Sequence, residues 1–308
     1  MEESKFSKRA FYRLNLLDDP RFVIASSIEK GCETYQIEPT NVRFTSRLKN
    51  SDETSLCVAN SKASFCLAGT EKGNLIELAP LDGVIFREMA ISKSPLTALT
   101  TSKAFTPYVG TLGGEVFEVD LAKGAKTLLG SHENRVISLF MLENLIGSFG
   151  MDNQLKVWDS RSRKSISSKF CIPPQPNGVA VSGETLYFCP FQKGEQFRVC
   201  KKADLLAAND VELPKSDVKK SEKRVQAIKV WSSSLLILDE DSLITKQSLG
   251  SWSLQPFELD KYSELLAQEK KVLDFAMLPK GRVMVCGEEF IKLYDVSSNL
   301  ANSNPDSL

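Results

Sequence analysis

The sequence predicts an all-β chain folded as a seven-bladed propeller, one ring of seven small antiparallel sheets, closed by an N-terminal strand. Three observations predict it. Residues 130–159, GSHENRVISLFMLENLIGSFGMDNQLKVWD, read as one complete unit of short strands whose polar positions can all satisfy one another. Related segments then recur along the chain at intervals of 39 to 48 residues. Finally, VFEVD, LKVW, FRVC and IKLYD alternate apolar with polar residues, as strands buried on one face do, and helical periodicity is nearly absent.

Taken in order, the ends at 1–9 and 299–308 are expected to be disordered, leaving one domain across the 308 residues. The segment Phe11 to Leu16, FYRLNL, is expected as the outermost strand of the last blade, where pairing with the C-terminal strands would remove the exposed edges of an open array. IASSIEKGCETYQIE, LAGTEKGNLIELA and VGTLGGEVFEVDL share an apolar pair, small residues, a glycine turn and an alternating strand. Glu29-Lys30-Gly31 recurs at Glu71-Lys72-Gly73, an offset of 71 − 29 = 42, and Gly69-Thr70 recurs at Gly110-Thr111, an offset of 110 − 69 = 41. Following the same strand ending gives Gln36, Leu78, Val119, Trp158, Val199, Lys246 and Tyr294 as equivalent positions, one for each of seven blades. Turn residues punctuate the units at Gly31, Gly73, Gly113-Gly114, Asp152-Asn153 and Gly194. The best helical candidate is 261–270, a short excursion between the sixth and seventh units.

Within 130–159, a His ahead of the first strand, a Ser on the second, an Asp in the tight turn and a Trp on the third are spaced to form one buried polar chain. These are His132, Ser148, Asp152 and Trp158. The carboxylate accepts from the imidazole, the other ring nitrogen meets the hydroxyl, and the hydroxyl accepts from the indole N–H, so no member is left unsatisfied. His132 is the sole histidine of the chain, and a lone histidine invites a catalytic reading. The spacing favours the structural one. The arrangement resembles the repeat of the WD-repeat propellers.

Thirty-nine basic and thirty-nine acidic side chains cancel, so a bulk electrostatic grip on nucleic acid is not expected. No run of 18 apolar residues marks a membrane span, and MEESKFSKRAF lacks the apolar core of a secretory signal. The seven cysteines are odd in number and never spaced as CxxC, which reads as reduced, buried thiols in a nuclear or cytoplasmic protein. Phosphate-cradling, metalloprotease and nucleophile-elbow motifs are absent, and paired acids at Asp18-Asp19, Asp239-Glu240-Asp241 and Glu288-Glu289 fall in turns. Neither catalysis, nor a cofactor, nor a metal is expected, and the partners should be proteins.

The segment 215–224, KSDVKKSEKR, carries five basic residues and two acids. It reads either as a solvated loop between the fifth and sixth units or as a dock for an acidic peptide, where Arg can fork to a carboxylate. The stretch from Val109 to about Ser248 resembles the family of the mitotic-checkpoint propeller (budding uninhibited by benzimidazole type) and its mRNA-export relative. VGTLGGEVFEVDL, LLGSHENRVISL, GSFGMDNQLKVWDSRSRK, NGVAVSGETLYFC and SEKRVQAIKVW carry the resemblance, in the family's order. It implies a non-catalytic scaffold that clamps glutamates of a GLEBS-type peptide from a checkpoint kinase or a nucleoporin, at kinetochores or nuclear pores. Arg224 matches the clamping position, with Lys223, Lys220 and Arg135 as further candidates for the same face. Ser242 and Glu71 stand where the family carries a second arginine and an aromatic, and the matching unit is fourth rather than third. The alternative is an obligate structural subunit of a ribosome-biogenesis, chromatin or coat complex; in either case the chain is expected to be a monomer within a hetero-complex.

Overall fold

The computed structural model describes residues 11–16, 21–27, 31–38, 42–47, 55–60, 65–79, 81–192, 197–207, 224–231, 234–241, 244–248, 254–255, 272–278, 282–287 and 290–295. The first sheet holds β1 (Phe11–Leu16), β2 (Phe22–Ser27), β3 (Gly31–Ile37) and β4 (Val42–Arg47). The second holds β5 (Ser55–Asn60), β6 (Cys66–Thr70), β7 (Asn74–Ala79) and β8 (Val84–Ala90), and the third β9 (Leu96–Thr101), β10 (Pro107–Thr111), β11 (Glu115–Asp120) and β12 (Ala125–Ser131). The fourth is β13 (Val136–Leu142), β14 (Leu145–Gly150), β15 (Gln154–Asp159) and β16 (Lys164–Phe170). Next come β17 (Pro174–Ser182), β18 (Thr185–Pro190), β19 (Arg198–Lys201) and the helix α1 (Lys202–Leu206), then β20 (Val225–Trp231), β21 (Ser234–Asp239), β22 (Ile244–Ser248) and β23 (Leu254–Gln255). A last sheet contains β24 (Val272–Leu278), β25 (Arg282–Gly287) and β26 (Ile291–Asp295).

Each unit is an antiparallel meander, and the first strands of successive units adjoin one another: β1 with β5, β5 with β9, β9 with β13, β13 with β17, β17 with β20, β20 with β24, and β24 with β1. The array closes on itself as a β-propeller. Among the described residues it contains six hydrogen-bonded sheets, where the sequence predicts seven. The difference lies at β17 and β20, which are joined in parallel through Asn177 and Ala227 into one seven-stranded sheet. The register of β17 against β18 breaks between Pro174 and Val179, and Asn177, which pairs with Ala227, lies within that irregular stretch.

The sheets pack face to face, and the apolar core lies in the layers between them. Leu14, Tyr35, Leu278 and Met284 fill the layer between the first and last sheets. Leu67, Leu75, Leu99 and Val109 fill that between the second and third, and Phe140, Phe149, Leu186 and Phe188 that beyond the fourth. Burying each such side chain stabilises the fold by about 2 kcal/mol. Second strands are therefore covered on both faces: β6 and β10 are buried at every position. Alternation survives on outer strands such as β8, whose exposure changes at each residue.

Two sequence expectations need correction. Phe11–Leu16 is the first strand of the first sheet, not the outermost strand of the last: it pairs antiparallel with β2 and packs beside β24. Its apolar residues explain this, because Leu14 is buried among side chains from both sheets. The strand endings are displaced by one residue in three units. Val23 faces Tyr35, Leu186 faces Cys200 and Leu235 faces Gln247, as Ile146 faces Trp158, so these replace Gln36, Val199 and Lys246 at the tryptophan position. The fifth unit carries α1 after its third strand. Leu205 of this helix is fully buried, and the Lys169 ammonium donates to the Ala207 carbonyl at 2.8 Å, placing a cation at the helix C-terminus. The helical excursion at 261–270 and the ends at 1–9 and 299–308 lie outside the described residues.

A buried carboxylate sits where the ring closes. Asp274 on β24 is fully buried; it accepts from the backbone N–H of Leu14 on β1 at 2.9 Å and faces the ammonium of Lys229 on β20 at 3.2 Å. Three first strands, remote in sequence, meet at this side chain. Asp274→Ala should leave the Leu14 N–H and Lys229 uncompensated and lower stability by about 3 kcal/mol. Urea denaturation followed by circular dichroism checks this, and a loss below about 1 kcal/mol would assign closure to apolar packing alone.

Candidate functional site

Two backbone motifs repeat at one end of the sheets and define a common face. In the turn joining second and third strands, Gly73, Gly114 and Asn153 take left-handed backbone conformations (φ 84°, 95° and 59°). Their carbonyls accept from Ile91, His132 and Cys171, the residues that follow each fourth strand, at 2.8–2.9 Å. A Cβ at Gly114 would lie 2.4 Å from the His132 carbonyl oxygen, so the close approach requires glycine there. In the second motif, the carbonyl of the residue ahead of a first strand accepts from the residue just after the second strand. Leu112 donates to Pro95 (2.8 Å), Met151 to Arg135 (2.9 Å), Phe191 to Pro173 (2.8 Å) and Glu240 to Arg224 (2.9 Å).

The second motif aligns side chains that sequence spacing alone left unconnected. Arg135 and Arg224 occupy the same position in two units. Leu112, Met151 and Phe191 occupy the partner position in three consecutive units, at intervals of 151 − 112 = 39 and 191 − 151 = 40 residues, and are 45%, 49% and 42% exposed. Three large apolar side chains standing in solvent at one repeated turn position form an arc around the face. The Arg224 guanidinium lies over the Phe191 ring, 5.0 Å from its centroid, a cation–π contact, and the residue is exposed. Arg135 is half-buried, its backbone N–H donates to the Asn134 side chain at 2.7 Å, and its Nε is buried with no hydrogen-bond partner among the described residues. Lys220 and Lys223 lie outside the described residues, as does Ser242. The apolar arc was readable as a recurrence one residue after the glycine-turn strands, but only the repeated hydrogen bond shows that its members are equivalent.

Beneath this face the fourth sheet holds the polar chain. The Trp158 indole N–H donates to Ser148 Oγ at 2.8 Å, Ser148 Oγ meets His132 Nε2 at 2.7 Å, and His132 Nδ1 meets the Asp152 carboxylate at 2.9 and 3.0 Å. Asp152 also accepts from the backbone N–H groups of Glu133 and Gln154, which ties the residue leading into β13 to the β14–β15 turn. His132, Ser148 and Trp158 are buried. Burial holds the imidazole below its ordinary pKa, against the pull of the Asp152 charge, so the neutral ring accepts from Ser148 and donates to Asp152. A buried neutral imidazole with both nitrogens engaged orders a loop; it has no free nitrogen to offer a substrate. Among the described residues no group of three or more His, Cys, Asp or Glu side chains could hold a metal ion. Cys32, Cys66, Cys171, Cys189, Cys200 and Cys286 are buried, and burial pushes the Cys200 thiol up to about 12.

No family model matches the sequence, and no curated protein matches it. Solved structures do. The WD40 β-propeller domain of Doa1 is similar over 94% of this chain and 94% of its own, with a TM-score of 0.72 and 14% sequence identity. The computationally designed protein Ika8 is similar over 95% of this chain and 86% of its own, with a TM-score of 0.68 and 16% identity. At these identities the likeness is one of fold: this chain is an all-β propeller.

Two measurements test the polar chain. Because the folded-state pKa of His132 lies below its ordinary value of 6.5, the unfolded chain binds the extra proton as pH falls. The stability it contributes is complete above about pH 7 and is lost as pH drops through 6.5 toward the folded pKa. Melting temperature should fall across that window in the wild type and less steeply in His132→Gln. Gly150→Ala would place a Cβ 2.3 Å from Asp152 Oδ1 and 2.4 Å from His132 Nδ1, and should cost roughly 2 kcal/mol in urea denaturation.

Proposed function

We propose that this chain is a non-catalytic scaffold that holds a peptide segment of a larger protein on the face carrying Arg135, Arg224 and the arc of Leu112, Met151 and Phe191. The observation that carries the reading is the repetition: two arginines and three exposed apolar side chains occupy equivalent positions of one face, which is how an anchor site for a linear segment is built. The segment it fits carries carboxylates for the guanidinium groups and an apolar side chain for the arc. An acidic GLEBS-type peptide from a checkpoint kinase or a nucleoporin has this chemistry, and the match of Arg224 to the clamping position of the mitotic-checkpoint and mRNA-export propellers supports that identity. A role at kinetochores or nuclear pores, with residence in the nucleus and cytoplasm, follows from it.

The blade count is read as seven. Support comes from the antiparallel ladders on either side of the single Asn177–Ala227 link, which make β17–β19 and β20–β23 separate meanders, and from the closed succession of seven first strands. A second reading, an obligate subunit wedged into an assembly through its blade sides, is favoured by the outward apolar residues of the fourth strands, of which Phe170 is 78% exposed.

Affinity capture of the intact protein from cells, beside Arg224→Glu and Arg135→Glu, separates the two. Mass spectrometry should find the same partner missing with both variants, each charge reversal weakening binding by about tenfold or more. An unchanged partner set with both variants would remove the arginine face and leave the blade-side reading.

A further inference from the structure

A second surface lies away from that face, in a cleft of about 600 Å³ between the second and third sheets, at the end where first strands turn into second strands. Its walls are Phe65 ahead of β6, Phe86 and Arg87 on β8, Phe105 in the β9–β10 turn, and Glu118 and Asp120 on β11. The volume is that of an ordinary ligand site.

Three features set this cleft apart. Phe86 is the extra residue of a β-bulge, since Glu77 pairs with Arg87 and Leu78 with Ile85; it is 63% exposed and stacks on Phe65 with ring centroids 5.0 Å apart. Phe105 holds a left-handed backbone conformation, φ 60°, that costs a bulky residue about 1 kcal/mol. The turn imposes it: Phe105 donates to the Ser102 carbonyl at 2.9 Å, while Ala104 and Thr106 donate to the Ser102 hydroxyl at 3.2 and 3.1 Å. A glycine would relieve the strain, yet the position carries an aromatic ring that lines the cleft. Lastly, the walls are acidic. Among the described residues their one cation, Arg87, is 3.8 Å from Glu77, and the ion pair of Asp120 with Lys123 at 3.4 Å is largely exposed and weak.

We propose that this cleft docks a short extended segment of a partner protein that places an aromatic or aliphatic side chain among Phe65, Phe86 and Phe105 and sets a lysine or arginine beside it against Glu118 and Asp120. The charge of the walls selects the basic flank, and the rings select the apolar anchor. β8 is the terminal strand of its sheet, so among the described residues its outer backbone edge has no strand beside it and can pair with such a segment. The occupant is opposite in charge to the segment proposed for the arginine face. Each site therefore stands or falls without the other, and a chain with both joins two partners.

Fluorescence anisotropy of the full chain with a labelled Lys-Leu-Lys-Phe-Lys-Leu-Lys peptide tests it, beside a Glu-for-Lys peptide and a Ser-for-Leu/Phe peptide. The basic apolar peptide should bind saturably, both controls should not, and Phe86→Ser and Glu118→Lys should each weaken binding by about tenfold. Arg224→Glu should leave it unchanged. Equal binding of the acidic peptide, unchanged affinity in Phe86→Ser and Glu118→Lys, or no saturation by millimolar peptide would each overturn the proposal. Should Phe86→Ser lower the melting temperature, amide NMR of the wild type decides instead: shifts on titration should centre on the 102–107 turn and 118–122, and shifts centred elsewhere would overturn it.

Discussion

The buried carboxylate of Asp274 is the point at which the chain becomes a ring. A meander of small sheets is satisfied locally by its own hairpins, but the first and last sheets of an open array would each present an uncovered apolar face. Asp274 brings β1, β20 and β24 to one place, with the Leu14 N–H and the Lys229 ammonium compensating the cost of burying a charge. Around that point the apolar layer of Leu14, Tyr35, Leu278 and Met284 forms between the ends of the chain.

Closure also decides what the surface can do. With the sheets held face to face, turns between second and third strands gather at one end, and turns between first and second strands at the other. The first end repeats one hydrogen-bonded frame in successive units, so side chains at matching positions become neighbours around a face, and small differences among units produce an arc of Leu112, Met151 and Phe191 beside two arginines. The other end is less regular. Its strained Phe105 turn and the Phe86 bulge produce one local aromatic cleft with acidic walls.

The polar chain of His132, Ser148, Asp152 and Trp158 works on a smaller scale. It fixes the segment ahead of β13 against the β14–β15 turn, which orients Arg135 and Met151 relative to each other through their backbone hydrogen bond. Units without such a chain use other means. Thr111 and Ser92 both donate to Glu115 in the third, and the Thr70 hydroxyl accepts from the Asn74 N–H in the second. The fold tolerates this substitution because each polar frame contributes little beside the apolar layers.

The repeat period, the turn glycines and the complete unit at 130–159 were legible in the sequence, because they are local: they depend on residues within one hairpin or one meander. Trp158, Leu78, Val119 and Tyr294 were aligned correctly for this reason, whereas Tyr35, Cys200 and Gln247 each escaped by one residue. The propeller class and the spacing that makes the buried polar chain possible were determined by the sequence alone. Only the tertiary structure decided that Phe11–Leu16 is a first strand, that β17 and β20 share a sheet, that Asp274 closes the ring, and that Phe65, Phe86 and Phe105 meet in a cleft. Each of these joins residues from different units. Their pairing is set by which sheet faces which, and no periodicity along the chain encodes it.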